Sequence, residues 1–125
     1  MDAEGLKALF EPFAAVAVKR MFGGAGVYAE GLCFAIESGG EVFLKVDSLS
    51  QPTFAVAGSS PFVYVGRGKP TPTSFWRLPA IAHEENGELV RWASLGLDAA
   101  RRVAKAKPKA NAKRKITPAK GKKSR

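Results

Sequence analysis

The chain has 125 residues, with 20 Lys and Arg against 11 Asp and Glu, a single His, a single Cys and a formal net charge of +9. That length suits one compact domain, and no apolar run approaches the roughly 20 residues that span a bilayer as a helix. One cysteine excludes an internal disulfide, and one Cys with one His falls short of the ligand set of a structural zinc site, so disulfide scaffolds and zinc fingers drop out.

Asp2 is placed to cap a first helix, on which Leu6, Leu9, Phe10 and Phe13 recur as one apolar stripe before Pro12 ends or bends it. From Val16 the pattern changes to β-like runs punctuated by glycine: Val16 to Phe22, Gly26 to Ala29, Leu32 to Glu37 and Glu41 to Val46. Leu32, Phe34 and Ile36 alternate with Cys33, Ala35 and Glu37, which predicts a strand with unequal faces. Glu30-Gly31 and Gly39-Gly40 tolerate positive φ and suit tight hairpin turns. Asp47-Ser48 precedes a short helix over Leu49 to Ala57, with capping-box spacing between Ser48 and Gln51, Pro52 in its first turn and Gly58 at its end. Phe62 to Val65 and Ser74 to Leu78 read as two more strands, joined by a loop from Gly66 to Pro72. In a last helix Glu84 and Glu85 favour the N-terminus, Leu89, Trp92, Ala93, Leu97, Ala100 and Val103 make the stripe, and Arg101 and Arg102 fall in the last turn. Gly96 weakens that helix unless it permits close packing on the sheet. The expected class is α+β: a two-layer antiparallel sheet with helices, in the order helix, three or four strands, short helix, two strands, helix.

Charge is divided along the chain. Residues 1–100 hold eight basic and eleven acidic side chains, whereas residues 101–125 hold twelve basic and none acidic. All twelve aromatic residues precede residue 93, so the end of the chain has little to bury. The expected division is a folded domain over 1–104 and a disordered Lys/Ala/Pro-rich tail over 105–125, with Pro108 and Pro118 interrupting any continuous helix.

The ordered series Met21-Phe22-Gly23-Gly24-Ala25-Gly26-Val27-Tyr28, Phe43-Leu44-Lys45-Val46-Asp47, Pro61-Phe62-Val63-Tyr64, Gly68-Lys69, Phe75-Trp76 with Pro79, and Trp92-Ala93 resembles the N-terminal domain of the TfoX/Sxy family across roughly residues 4–103. The resemblance implies a two-layer α+β fold and, from the named members, a role in switching on bacterial competence genes with the cyclic-AMP receptor protein. It brings no catalytic residues. The chain lacks the helical C-terminal domain of the long members and carries the basic tail in its place.

Each candidate chemistry has a structural competitor. Gly23-Gly24-Ala25-Gly26 lies between strands, without the Gly-Lys-Ser/Thr of a phosphate loop, and is assigned to a turn or bulge. Arg67 and Lys69 are a solvated pair in a loop, or else an anion- or partner-contacting one. Cys33 is assigned to the core and His83 to a surface or cap position, Lys45 to the strand face opposite Leu44 and Val46, and Asp47 to a helix cap. Trp76, Phe75, Tyr64 and Phe62 are assigned to the core, with a base-stacking platform as the alternative. The strongest signal is the tail: Lys105, Lys107, Lys109, Lys113, Arg114, Lys115, Lys120, Lys122, Lys123 and Arg125 without one acid, a composition that attracts DNA or RNA non-specifically.

These observations predict a non-enzymatic regulatory or adaptor protein without cofactor or metal, whose domain contacts a partner from the transcription machinery and whose tail tethers it to nucleic acid. The location expected from the acidic start Met1-Asp2-Ala3-Glu4, which lacks a basic n-region, is the cytoplasm, at the nucleoid, and no membrane is involved. The alternative is a small-ligand-binding or enzymatic domain with a pocket near Gly23 to Gly26 and the Arg67/Lys69 loop; a homodimeric scaffold is a third reading.

Overall fold

The computed structural model describes residues 1–21 and 23–106 and opens with α1 (Ala3–Phe10). The Asp2 carboxylate accepts a hydrogen bond from the Gly5 N–H at 2.8 Å, satisfying one of the unpaired donors of the first turn. Leu6 and Phe10 are buried and Leu9 and Phe13 pack against the same core, so the predicted stripe is the buried face. The helix stops at Phe10, just short of Pro12.

Six strands follow: β1 (Ala17–Met21), β2 (Gly24–Ala29), β3 (Leu32–Ser38), β4 (Glu41–Lys45), β5 (Pro61–Gly66) and β6 (Lys69–Arg77). They form one antiparallel sheet in the order β1-β2-β3-β4-β6-β5. The α+β expectation is met, with α2 (Gln51–Val56) between β4 and β5. Two-residue turns join β2 to β3, β3 to β4 and β5 to β6, and both central residues of each have positive φ, the backbone that matches strand twist. In the third turn Arg67 takes φ 58° without being glycine.

That third turn corrects the predicted loop over 66–72. Lys69, Pro70, Thr71 and Pro72 are strand residues paired with Gly66, Val65, Tyr64 and Val63. β4 pairs with β6 only at Phe75, Trp76 and Arg77, so the earlier part of β6 and its β5 partner extend beyond β4 as a two-stranded arm. Counting from the turn, Pro70 and Pro72 fall at non-hydrogen-bonded positions, where their missing N–H groups cost no ladder bond.

β3 also departs from strict alternation. Val27 pairs with Ala35 but Tyr28 pairs with Cys33, so Phe34 is an inserted bulge residue. The bulge turns Phe34 to the same side as Ala35, where its ring meets Phe10 at 5.2 Å and Phe13 at 5.6 Å. Leu32, Phe34, Ala35 and Glu37 therefore share the helix side, and the expected partition of this strand holds only in part.

The helices build the second layer. α4 (Asn86–Ala106) lies over β3 and β4 through Leu89, Trp92, Ala93, Gly96, Leu97 and Ala100, with Val103 half-buried. A Cβ at Gly96 would come within 3.2 Å of the Phe34 carbonyl oxygen and 3.3 Å of Leu44, so glycine here sets how closely α4 approaches the sheet. Phe54 of α2 meets Trp92 edge-on at 4.9 Å, and the short α3 (Ile81–Glu84) packs on α4. α3 was not anticipated: Glu84 belongs to it, Glu85 is extended between the helices, and Glu88 is the acid in the first turn of α4.

Arg101 and Arg102 fall before the last turn of α4 rather than in it, and there they make ion pairs. Arg101 is bonded to Glu30 in the β2–β3 turn, with Nε at 2.9 Å, and Arg102 grips both Asp47 oxygens at 2.5 and 2.9 Å. The N-cap of α2 is Ser50 rather than Asp47, and the reciprocal pair is Asp47–Ser50 rather than Ser48–Gln51: each backbone N–H donates to the other's side-chain oxygen at 3.1 Å. α4 runs to Ala106, two residues past the boundary expected at 104, so Lys105 stands in its last turn. Phe22 and residues 107–125 lie outside the described residues.

Two stability tests follow from these contacts. Gly96→Val forces branched atoms against the sheet and is expected to cost about 1–3 kcal/mol, whereas Gly87→Ala, which meets open space, is expected to gain about 0.5 kcal/mol; urea denaturation checks both, and equal midpoints contradict the packing role. Hydrogen bonds from Arg102 hold the Asp47 carboxyl well below its usual range. A depressed carboxylate stabilises the fold above its ordinary value of 3.8 and loses that contribution as pH falls below it. Asp47→Asn should lower stability at neutral pH and flatten the acid limb of the urea midpoint below about pH 4.

Candidate functional site

The strand register sorts the side chains of the sheet. Val27, Ala35, Leu44 and Trp76 form one row across β2, β3, β4 and β6, on the side that α4 covers. Val18 belongs to that side too, packed on the core, while Lys19, Gly26, Ile36, Phe43 and Arg77 form the next row and face away. α1 reaches the sheet through Phe34, α2 reaches α4 through Trp92, and α4 sits on Leu44, so the described helices all lie on the first side.

The second side combines rings with cations. Lys19 Nζ lies 5.6 Å from the Tyr28 ring centre, Lys45 Nζ 5.1 Å from that of Phe75, and the Arg77 guanidinium carbon 5.7 Å from that of Phe43. Phe43 is buried beneath this layer, with the Phe62 ring 4.9 Å away. Glu41 is the acid at this end of β4 and pairs with Arg77 at 2.7 Å. Such pairing shields apolar ring surface while leaving each charge near solvent.

Cys33 and Tyr28 stand opposite each other on this face. Burial pushes the Cys33 thiol up, and its Sγ donates to the Ala35 carbonyl at 3.4 Å. The neighbouring Cys33 in turn raises the Tyr28 hydroxyl, with burial adding to the effect. Cys33 is half-buried on this face and outside the core, which corrects its expected core position, and a thiol held in its neutral form is a poor nucleophile. The Tyr28 ring lies against Gly26, where a Cβ would stand 3.0 Å from it.

The predicted turn or bulge holds only at Gly23, since Gly24, Ala25 and Gly26 are strand residues of β2 in regular pairing with β1 and β3. A Cβ at Gly24 would lie 2.0 Å from the Glu37 carbonyl oxygen, and Gly23 has φ +83°. Beside it, between the arm and the ends of β1 and β3, runs a groove of about 530 Å³ lined by Met21, Ile36, Phe62, Tyr64 and Val65 together with Gly23, Gly24, Glu37 and Ser38. Arg67 and Lys69 sit at the tip of the arm, exposed, and do not line it. His83, Glu84 and Glu85 are exposed around α3, and His83 lines a cavity of about 200 Å³ with Glu41 and Arg77. The predicted aromatic cluster divides: Trp76 faces the core, Phe62 and Phe75 belong to the second side, and Tyr64 is 59% exposed on β5.

Of the tail residues, Lys105 is exposed at the end of α4. Lys107, Lys109, Lys113, Arg114, Lys115, Lys120, Lys122, Lys123 and Arg125 lie outside the described residues. Sequence reasoning assigned the rings to packing and missed the ring-and-cation face. The available signal was the spacing Phe43-x-Lys45 and Phe75-x-Arg77, which places an aromatic and a cation on the same side of each strand.

A six-stranded antiparallel sheet with helices on one side defines a small two-layer α+β protein. The TfoX N-terminal domain family matches residues 8–100, and the chain belongs to that family. A search of curated proteins finds no match.

The Cys33 environment is checked by alkylation. Iodoacetamide should modify the native thiol far more slowly than the thiol of the urea-unfolded chain at the same pH; equal rates contradict the raised, shielded state.

Proposed function

We propose that this protein is a non-enzymatic regulatory adaptor whose folded domain engages a protein partner while its basic C-terminal segment tethers it to nucleic acid. The observation that carries this reading is the placement of charge. Arg101 and Arg102 are paired with Glu30 and Asp47, and beyond them the sequence from Lys105 to Arg125 holds ten Lys and Arg without an acid. Such a segment releases counterions on meeting a polyanion and raises local concentration without specifying sequence.

Family membership supports a regulatory role of the kind held by the named members, in which transcription of competence genes is switched on with a partner of the transcription machinery. The arm supplies a surface for such a partner. β5 is an edge strand, its sequence Pro61-Phe-Val-Tyr-Val-Gly66 has no charge to discourage pairing, and Val63, Tyr64 and Val65 are exposed. An extended segment of a partner protein can add to such an edge through main-chain hydrogen bonds. The groove beside Gly23 and Gly24 favours a second reading, a small-ligand domain, which thermal-shift screening with nucleotides and small anions addresses.

The tether is tested by fluorescence anisotropy with random-sequence duplex DNA across a salt series, comparing the full chain with one ending at Ala106, which keeps α4 whole. With about five to eight phosphates neutralised, the slope of log K against log salt is expected near about −4 to −7 for the full chain. Truncation should abolish the steep dependence. Equal duplex affinity of the two chains overturns the division between domain and tether.

A further inference from the structure

The side of the sheet that none of the described helices covers combines rings with cations, and we infer that this face binds single-stranded polynucleotide, bases stacking on Tyr28 and Phe75 and phosphates meeting Lys19, Lys45 and Arg77. The inference stands beside the proposed tether and does not require it.

Three features carry it. First, the charge on this face is complementary to a polyanion: among the described residues Lys19, Lys45 and Arg77 stand among its rings, Lys45 Nζ also donating to Ser74 Oγ at 2.7 Å and Arg77 pairing with Glu41, so cations outnumber carboxylates on it although residues 1–100 as a whole are net acidic. Second, the rings are partly exposed and each is already covered by a cation. A base can replace the ammonium over a ring while the ammonium moves a short way to the adjoining phosphate, so ring and charge act together. Third, the face continues at Ile36 and Phe62 into the groove of about 530 Å³, which is large enough for an unstacked base.

Geometry selects single strands over duplex. Rings lying on a sheet between an arm and β1 reach bases only when those bases are unpaired and splayed, as on the aromatic sheets of RNA-binding folds. A duplex offers this face phosphates alone. The end of α4 adds continuity: Ala100, Val103 and Ala104 line a cavity of about 270 Å³ together with Cys33, Lys45 and Phe75, so Lys105 starts the basic segment beside the face.

The experiment is an amide NMR titration of the full chain with an oligothymidylate and an oligouridylate of about 12 nucleotides, and with a blunt duplex as control. Single strands are expected to shift the amides of Lys19, Tyr28, Ile36, Lys45 and Phe75. Phase two measures Kd by anisotropy: Phe75→Leu, which keeps an apolar side chain, should weaken single-strand binding about five- to hundredfold and leave duplex binding unchanged. Lys19→Gln, at an exposed position on β1, should weaken single-strand binding and lower its salt slope by about 0.7 without disturbing the core. Stronger shifts with one oligonucleotide assign the preferred strand and support the face. Shifts on the face with none in residues 105–125 also support it, and sink the tether instead. Shifts confined to residues 105–125, or a Phe75→Leu chain that loses duplex and single-strand affinity equally, overturn it, and urea midpoints establish that the variants are folded.

Discussion

The contact between Gly96 and the centre of the sheet governs how the rest of the molecule is arranged. With no side chain at that point, α4 comes down onto the Phe34 carbonyl and Leu44, close enough to bury a stripe from Leu89 to Ala100 against a single sheet face. The same approach brings the last turns of α4 level with the sheet's end, where Arg101 and Arg102 reach Glu30 and Asp47. A glycine that weakens the isolated helix by about 1 kcal/mol is thus tied to tertiary burial and to two ion pairs. One of those pairs is exposed and screened by solvent, so the weight falls on Asp47, which also organises the start of α2.

Concentrating the described helices on one side leaves the other face of the sheet to manage its apolar surface alone. It does so with local devices: Tyr28 laid over Gly26, Phe62 over Phe43, and a cation above each of three rings. Long cationic side chains cover rings while keeping their charge in water. A face built this way is shielded when unoccupied and open to exchange, because a flexible Lys or Arg is a far looser cover than a packed helix.

Much of the architecture was legible because its signals are local. The Asp2 cap, the stripe of α1, the Glu30-Gly31 and Gly39-Gly40 turns and the stripe of α4 each rest on spacing within a few residues. What escaped depended on pairing partners. The Phe34 bulge reverses strand alternation only because β2 fixes the register opposite it, and nothing within Leu32–Ser38 marks the inserted residue. Pro70 and Pro72 read as loop residues because proline opposes a central strand, and only the retreat of β4 makes their places in β6 acceptable. The aromatic residues were visible, yet their division between Trp76 inward and Phe75 outward needed the sheet to be assembled.

The distribution of charge over the two layers also gives the molecule a direction. Among the described residues Asp2, Glu4 and Glu11 around α1 and Glu84 and Glu85 around α3 are exposed in the helical layer, which also holds Lys7, Arg91, Arg101 and Arg102, while Lys19, Lys45 and Arg77 belong to the opposite face with Glu41. Such an uneven distribution is a molecular dipole moment, and in the field of a polyanion it would produce a torque before any contact formed. That torque would turn the sheet face inward and leave the helical layer facing outward.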